Sequence, residues 1–165
     1  MKNDQIILSE FSDLEAYEIA LSLEKNGEEF YRRAAKLSKN KEIADMFNQL
    51  AKEEDKHYIH FEQQLESVSG DQDISESEEG LFDYINSGIF GSILDVEKSL
   101  KNIKTDLDAI ELAEEAEGKG ILFYKALLDN TQNEKGKGAL SKLLDEEAKH
   151  LETLARYKKI ITKCS

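Results

Sequence analysis

The sequence has no proline and a single cysteine, Cys164. One cysteine excludes a disulfide framework within the chain and any four-cysteine zinc or iron site. At the C-terminal edge, Cys164 reads as a thiol on a fraying end. No apolar run approaches the roughly 20 residues needed to span a bilayer. The opening stretch MKNDQIILSEF lacks a long apolar core and a small-residue cleavage site, so a cytoplasmic location is expected. Basic residues are also scarce. Lysine and arginine number 22 against 35 aspartates and glutamates, a net charge of −13. Nucleic-acid binding depends on neutralising phosphates, so this balance argues against it. It argues equally against anionic membranes. An acidic surface keeps a small protein soluble, and a surplus of carboxylates can also serve hard cations inside a fold.

Alanine, leucine, glutamate and lysine dominate what remains, with 39% apolar and 35% charged residues. Period-two alternation of β-branched and aromatic residues is rare, so an all-α protein is expected. At 165 residues, the chain is long enough for one domain with a sizeable core.

The chain repeats itself. Residues 12–61 align without a gap on residues 105–154, 93 positions further on, with about 15 identities in 50 positions. Chance would give roughly three. Glu24, Gly27, Phe30 and Tyr31 meet Glu117, Gly120, Phe123 and Tyr124; Leu50, Glu53, Glu54, Lys56 and His57 meet Leu143, Glu146, Glu147, Lys149 and His150.

Each half reads as a helical hairpin. Ser12 with Glu15, and Thr105 with Asp108, have the spacing of a capping box. The first helix ends at Ser38-Lys39-Asn40-Lys41, and the second fades near Ser67. The third runs to about Asn130. A turn is expected over residues 131–136, with the fourth helix from about Gly138 to Lys163. Two hairpins that bury their apolar faces on each other make a four-helix bundle. Residues 68–104 lie outside the repeat. They begin polar and acidic, then carry an apolar patch of Leu81, Phe82, Tyr84, Ile85, Ile89, Phe90, Ile93 and Leu94. A loop followed by one or two short helices is expected, long enough to cross the bundle. The third helix would then start at the end where the first started, the halves running the same way about a pseudo-two-fold axis. A patch of this kind needs a cover, and a homodimer would supply it.

The repeat concentrates metal-binding residue types. Glu54 and His57 stand three apart, one turn along a single helix face, and so do Glu147 and His150. Glu24 and Glu117 each precede the Glu-x-x-His by 30 residues. Fifteen residues before a hairpin turn lie level with fifteen after it. The six side chains should therefore meet at one height. Four carboxylates and two imidazoles suit Fe(II) or Mn(II) better than structural zinc. Glu53 and Glu146 also repeat, but sit about 100° off the ligand face, as surface residues or supports to the ligands. His60 and Glu114 have no repeat partner and read as solvated or supporting groups. Tyr31 and Tyr124 fall two turns after Glu24 and Glu117. They are core tyrosines, hydrogen-bond donors to a ligand, or redox-active phenols. Gly27 and Gly120, one turn after those glutamates, leave space beside the metals or let helices approach.

Two copies of Glu-x-x-His, each with a Glu 30 residues upstream, resemble the ferritin-like diiron carboxylate proteins. Within them, Glu-x2-Gly-x2-Phe-Tyr and Glu-Glu-x2-His resemble the rubrerythrin-like branch over about residues 10–160. The resemblance implies a ferritin-like four-helix bundle and two iron ions, with manganese as the alternative. The implied ligands are Glu24, Glu54, His57, Glu117, Glu147 and His150, with Glu54 and Glu147 bridging and one histidine on each metal. It implies an oxidoreductase that reduces hydrogen peroxide or dioxygen. Iron oxidation and sequestration, dimanganese peroxide disproportionation and a structural bundle with a vestigial site are the alternatives. Typical rubrerythrins also carry a four-cysteine rubredoxin domain. With one cysteine, this sequence would take electrons from a separate donor protein. Peroxidases of the family have a seventh carboxylate one turn after the third-helix ligand, where this chain has Gly120.

Overall fold

The computed structural model describes residues 13–69 and 95–164. Four long helices make a bundle: α1 (Asp13–Leu37), α2 (Lys41–Ser69), α4 (Asp106–Asn130) and α5 (Glu134–Lys163). A short helix, α3 (Val96–Lys101), precedes the second pair. No strand occurs among the described residues. Long helices of 25 to 30 residues span about 37–45 Å. This is the all-α, ferritin-like four-helix architecture that the resemblance implies.

Local chemistry sets the helix starts. Asn40 Oδ1 accepts from the backbone N–H of Glu42 at 2.9 Å and of Ile43 at 3.4 Å. It satisfies two of the donors a helix start leaves unpaired. Thr105 and Asp108 form the expected capping box on α4. Thr105→Ala should therefore cost about 1 kcal/mol, read as a melting temperature lower by about 2–4 °C. The expected cap of Ser12 with Glu15 lies outside the described residues.

Helix α5 begins earlier than the sequence suggests. Asn133 Oδ1 accepts from Lys135 N at 2.9 Å and Gly136 N at 3.3 Å, so the helix starts at Glu134 and not near Gly138. Two glycines in the first five residues, Gly136 and Gly138, imitate a loop, each costing about 1 kcal/mol in a helix. Gly136 is there for space: a Cβ would stand 3.1 Å from Thr131 Cγ2.

Buried apolar residues form two blocks. One contains Tyr17, Ala20, Phe61, Leu65, Phe123, Leu127 and Leu140. The other contains Phe30, Ala34, Ile43, Phe47, Val96, Ile110 and Leu154. Between them, at mid-height, lies a buried polar layer. The blocks also show the helix directions. The start of α1 shares a block with the end of α4, and the end of α1 shares the other with the start of α4. Helices α1 and α4 are thus antiparallel, and the expected common direction of the halves is corrected. The chain leaves α2 at one end of the bundle and enters α4 at the other. The pseudo-two-fold axis therefore runs across the bundle. A repeat offset establishes that two halves are equivalent but does not orient the axis between them.

Helix α3 is the described part of the crossover. Val96 is buried in the second block, and the Arg33 guanidinium pairs with Glu97, tying α3 to α1. The apolar patch at residues 81–94, and the dimer expected from it, fall outside the described residues.

Candidate metal centre

The polar layer holds Glu24 of α1, Glu54 and His57 of α2, Glu117 of α4, and Glu147 and His150 of α5. All six are buried, from 2% to 8% exposed. Six ionisable side chains in an apolar bundle would be costly without a compensating partner.

Two overlapping groups emerge among the described residues. Glu24, Glu54, His57 and Glu147 form one; Glu54, Glu117, Glu147 and His150 form the other. In each, one ligand-type atom per residue lies within 4.8 Å of the rest. His57 Nδ1 stands 3.3 Å from Glu24 Oε2, 3.5 Å from Glu54 Oε2 and 3.1 Å from Glu147 Oε1. His150 Nδ1 stands 3.4 Å from Glu117 Oε1, 3.2 Å from Glu54 Oε1 and 3.2 Å from Glu147 Oε2. Glu54 and Glu147 thus turn one oxygen to each group.

These atoms converge without bonding one another. Glu24 Oε2, both oxygens of Glu147 and both histidine Nδ1 atoms are buried with no hydrogen-bond partner. Each Nδ1 points between the surrounding oxygens. Neighbouring ligands around a six-coordinate cation with bonds of about 2.1 Å lie about 3 Å apart. The observed separations therefore fit a polyhedron around an ion better than a set of direct pairs. Four carboxylates also balance two divalent cations. On donor chemistry and geometry, the residues fit a dinuclear metal centre.

Electrostatics follow from the crowding. Burial and the neighbouring Glu54 push the Glu24 carboxyl up to about 8. Burial and Glu147 push Glu117 up to about 7. Burial and Glu24 also act to raise Glu147, but the adjoining imidazoles of His150 and His57 prevail and hold it below its ordinary value. Burial opposes charge on the histidines. The carboxylates around each Nδ1 outweigh it and raise both imidazoles far above their usual range. Burial and crowding thus favour protons on Glu24, Glu117 and the two imidazoles, and ions must displace such protons to bind.

The tyrosines reach across the bundle. Tyr31 Oη donates to Glu117 Oε1 at 2.5 Å, and Tyr124 Oη donates to Glu24 Oε1. Burial and those carboxylates raise both phenols well above 10. Both are at once core tyrosines and hydrogen-bond donors to a ligand-type carboxylate. Glu53 and Glu146 also meet the cluster: His150 Nε2 is 2.8 Å from Glu53 Oε2, and His57 Nε2 is 3.1 Å from Glu146 Oε2. Sequence spacing left this pairing open, because each glutamate serves the histidine of the other hairpin. His60 packs against Phe61, and Glu114 accepts from Lys158 at 2.9 Å. Neither joins the ligand groups.

A cavity of about 60 Å³ opens on the α1–α4 side. Glu24, Glu54, Glu117 and Glu147 border it, with Phe30, Leu112, Ala113 and Ala116 as apolar wall. Gly27 and Gly120 line it too. A Cβ on Gly27 would only touch Glu54 at 3.5 Å, and one on Gly120 would meet nothing nearer than the Tyr124 ring at 3.9 Å. The glycines thus leave space beside the cluster; they do not mark tight helix packing.

The rubrerythrin family model matches residues 15–158, an interval that takes in most of all four long helices and all six clustered residues. The chain belongs to the rubrerythrin family. No curated protein and no solved structure matches it. Family membership and the buried Glu/His cluster together indicate a binuclear metal site. No helix among the described residues of this rubrerythrin-family chain is long and apolar enough to cross a membrane.

Proposed function

We propose that the protein is a non-haem diiron oxidoreductase that reduces hydrogen peroxide or dioxygen with electrons from a separate donor protein. The observation that carries this reading is the pair of four-residue groups sharing Glu54 and Glu147, open to a cavity on one side. In it, Glu24, Glu54, His57, Glu117, Glu147 and His150 hold the ions. Glu54 and Glu147, common to both groups, would serve both ions, whereas Glu24 with His57 and Glu117 with His150 would each serve one. Bound iron would supply the redox chemistry, cycling between Fe(II) and Fe(III). The chain supplies the rest. Tyr31 and Tyr124 fix the terminal carboxylates. The cavity is wide enough for a small oxidant, since a water occupies roughly 10–15 Å³ by the same measure. Its apolar wall excludes bulk water from the reacting face. Cytoplasmic location and a homodimer belong to the same reading.

Stopped-flow mixing tests it. Protein loaded anaerobically with Fe(II) should oxidise on adding peroxide or air-saturated buffer, faster than the same free Fe(II). A reductant-fed assay should then show repeated turnover. Oxidation no faster than free iron would overturn the reading. Uptake far beyond two irons per chain would replace it with iron sequestration.

A further inference from the structure

On the face opposite the cavity, Glu53, Lys56, His57, Glu146, Lys149 and His150 line a shallow hollow between α2 and α5. The two imidazole rings lie nearly parallel there, 5.4 Å apart and inclined by 22°. Each turns Nδ1 inward and Nε2 outward. Each Nε2 meets a glutamate of the other hairpin: His150 with Glu53 at 2.8 Å, His57 with Glu146 at 3.1 Å. We infer that Glu53 and Glu146 are positioning residues for the centre, each locking one histidine with Nδ1 toward its ion. This rests on the dinuclear reading above.

The chemistry is that of the neutral imidazole. A ring that binds a cation through Nδ1 must keep its proton on Nε2. A carboxylate that accepts from Nε2 selects that tautomer, fixes the ring plane and strengthens Nδ1 as a donor. Glu53 is itself oriented. Its Oε1 accepts from Gln49 Nε2 at 2.9 Å, which leaves Oε2 for His150. Glu53 and Glu146 retain side-chain exposures of 35% and 40%. Both therefore stand at the solvent edge of the hollow while the ligands are buried. The pairing is also specific. Glu53 acts only on the group containing His150, and Glu146 only on the group containing His57.

Titration of the full-length protein with Mn(II) alone, followed by calorimetry, tests this. Glu53→Gln should weaken one of the two bound ions by about 10- to 100-fold and leave the other unchanged. Glu146→Gln should do the same to the other ion. Asp55→Asn and Asp145→Asn are the controls. Both residues are exposed and lie within two positions of Glu54 or Glu147, and their loss should move either affinity by less than about twofold. A double-mutant comparison locates the effect. Glu53→Gln should add nothing to His150→Ala, yet act in full on His57→Ala. Helical circular dichroism confirms that each variant folds.

Unchanged affinities in both glutamine variants would overturn the inference. So would equal weakening of both ions, or effects matched by the aspartate controls, because these are the marks of general charge. If the unaltered protein binds no Mn(II) and no Fe(II), the dinuclear reading itself fails and takes this inference with it.

Discussion

Stripped of metal, the protein should lose stability as the pH rises from 5 to 8, while the metal-loaded form should not. Four buried groups drive this with one sign. Glu24 holds its proton up to about 8 and Glu117 to about 7 when folded, both because of burial and a neighbouring carboxylate. Unfolded, each releases it near 4.5. Between those values the folded state binds more protons, so stability falls as the pH rises. His57 and His150 are raised by the surrounding carboxylates, against the effect of burial. Their contribution is complete below the unfolded value of 6.5 and is lost as the pH climbs above it. The two glutamates together should account for on the order of 5 kcal/mol, or about 10–20 °C in melting temperature at this chain length. Bound cations displace the protons and reverse the preference. The difference in melting temperature between loaded and metal-free protein should therefore widen steadily over this range. Calorimetric melts at pH 5, 6, 7 and 8 check it; a constant difference would contradict it.

The second large effect concerns the shared carboxylates. Glu54 and Glu147 each turn one oxygen toward His57 and the other toward His150, whereas Glu24 and Glu117 belong to one group each. Substitutions should therefore divide into two classes. Glu54→Ala or Glu147→Ala should damage both positions, and the pair together should reduce binding from about two ions to none. Glu24→Ala should leave the position at His150 filled, and Glu117→Ala the position at His57. Equilibrium dialysis with atomic emission separates the outcomes. Loss of both ions in Glu24→Ala, or retention of both in the Glu54→Ala/Glu147→Ala protein, would show that the bridging arrangement is wrong.

The gap-free repeat made much of this legible in advance. A glutamate 30 residues before each Glu-x-x-His reflects hairpin geometry, so the six residues could be placed at one height without coordinates. Tyr31 and Tyr124 followed from the same periodicity, though their partners did not. Reciprocal contacts show why. Tyr31 meets Glu117 while Tyr124 meets Glu24, and His57 meets Glu146 while His150 meets Glu53. As the number rises in one helix, it falls in its partner. Periodicity along one helix reveals a face, whereas these contacts depend on the axis that relates the hairpins. For that reason the antiparallel course of α1 and α4 was missed, and the role of Glu53 and Glu146 was left open. The start of α5 was misplaced for a local reason. Gly136 and Gly138 weigh toward a turn in sequence, but the Asn133 cap starts the helix ahead of them, and Gly136 is there to clear Thr131.

The central claim is that these six side chains form a single centre for two metal ions. Metal content per chain tests it most directly, measured by elemental analysis with an optical spectrum after anaerobic loading with Fe(II) and removal of free iron. The account predicts about two ions per chain, and none when Glu54 and Glu147 are both replaced by alanine. Less than one ion per chain in the unaltered protein would contradict it.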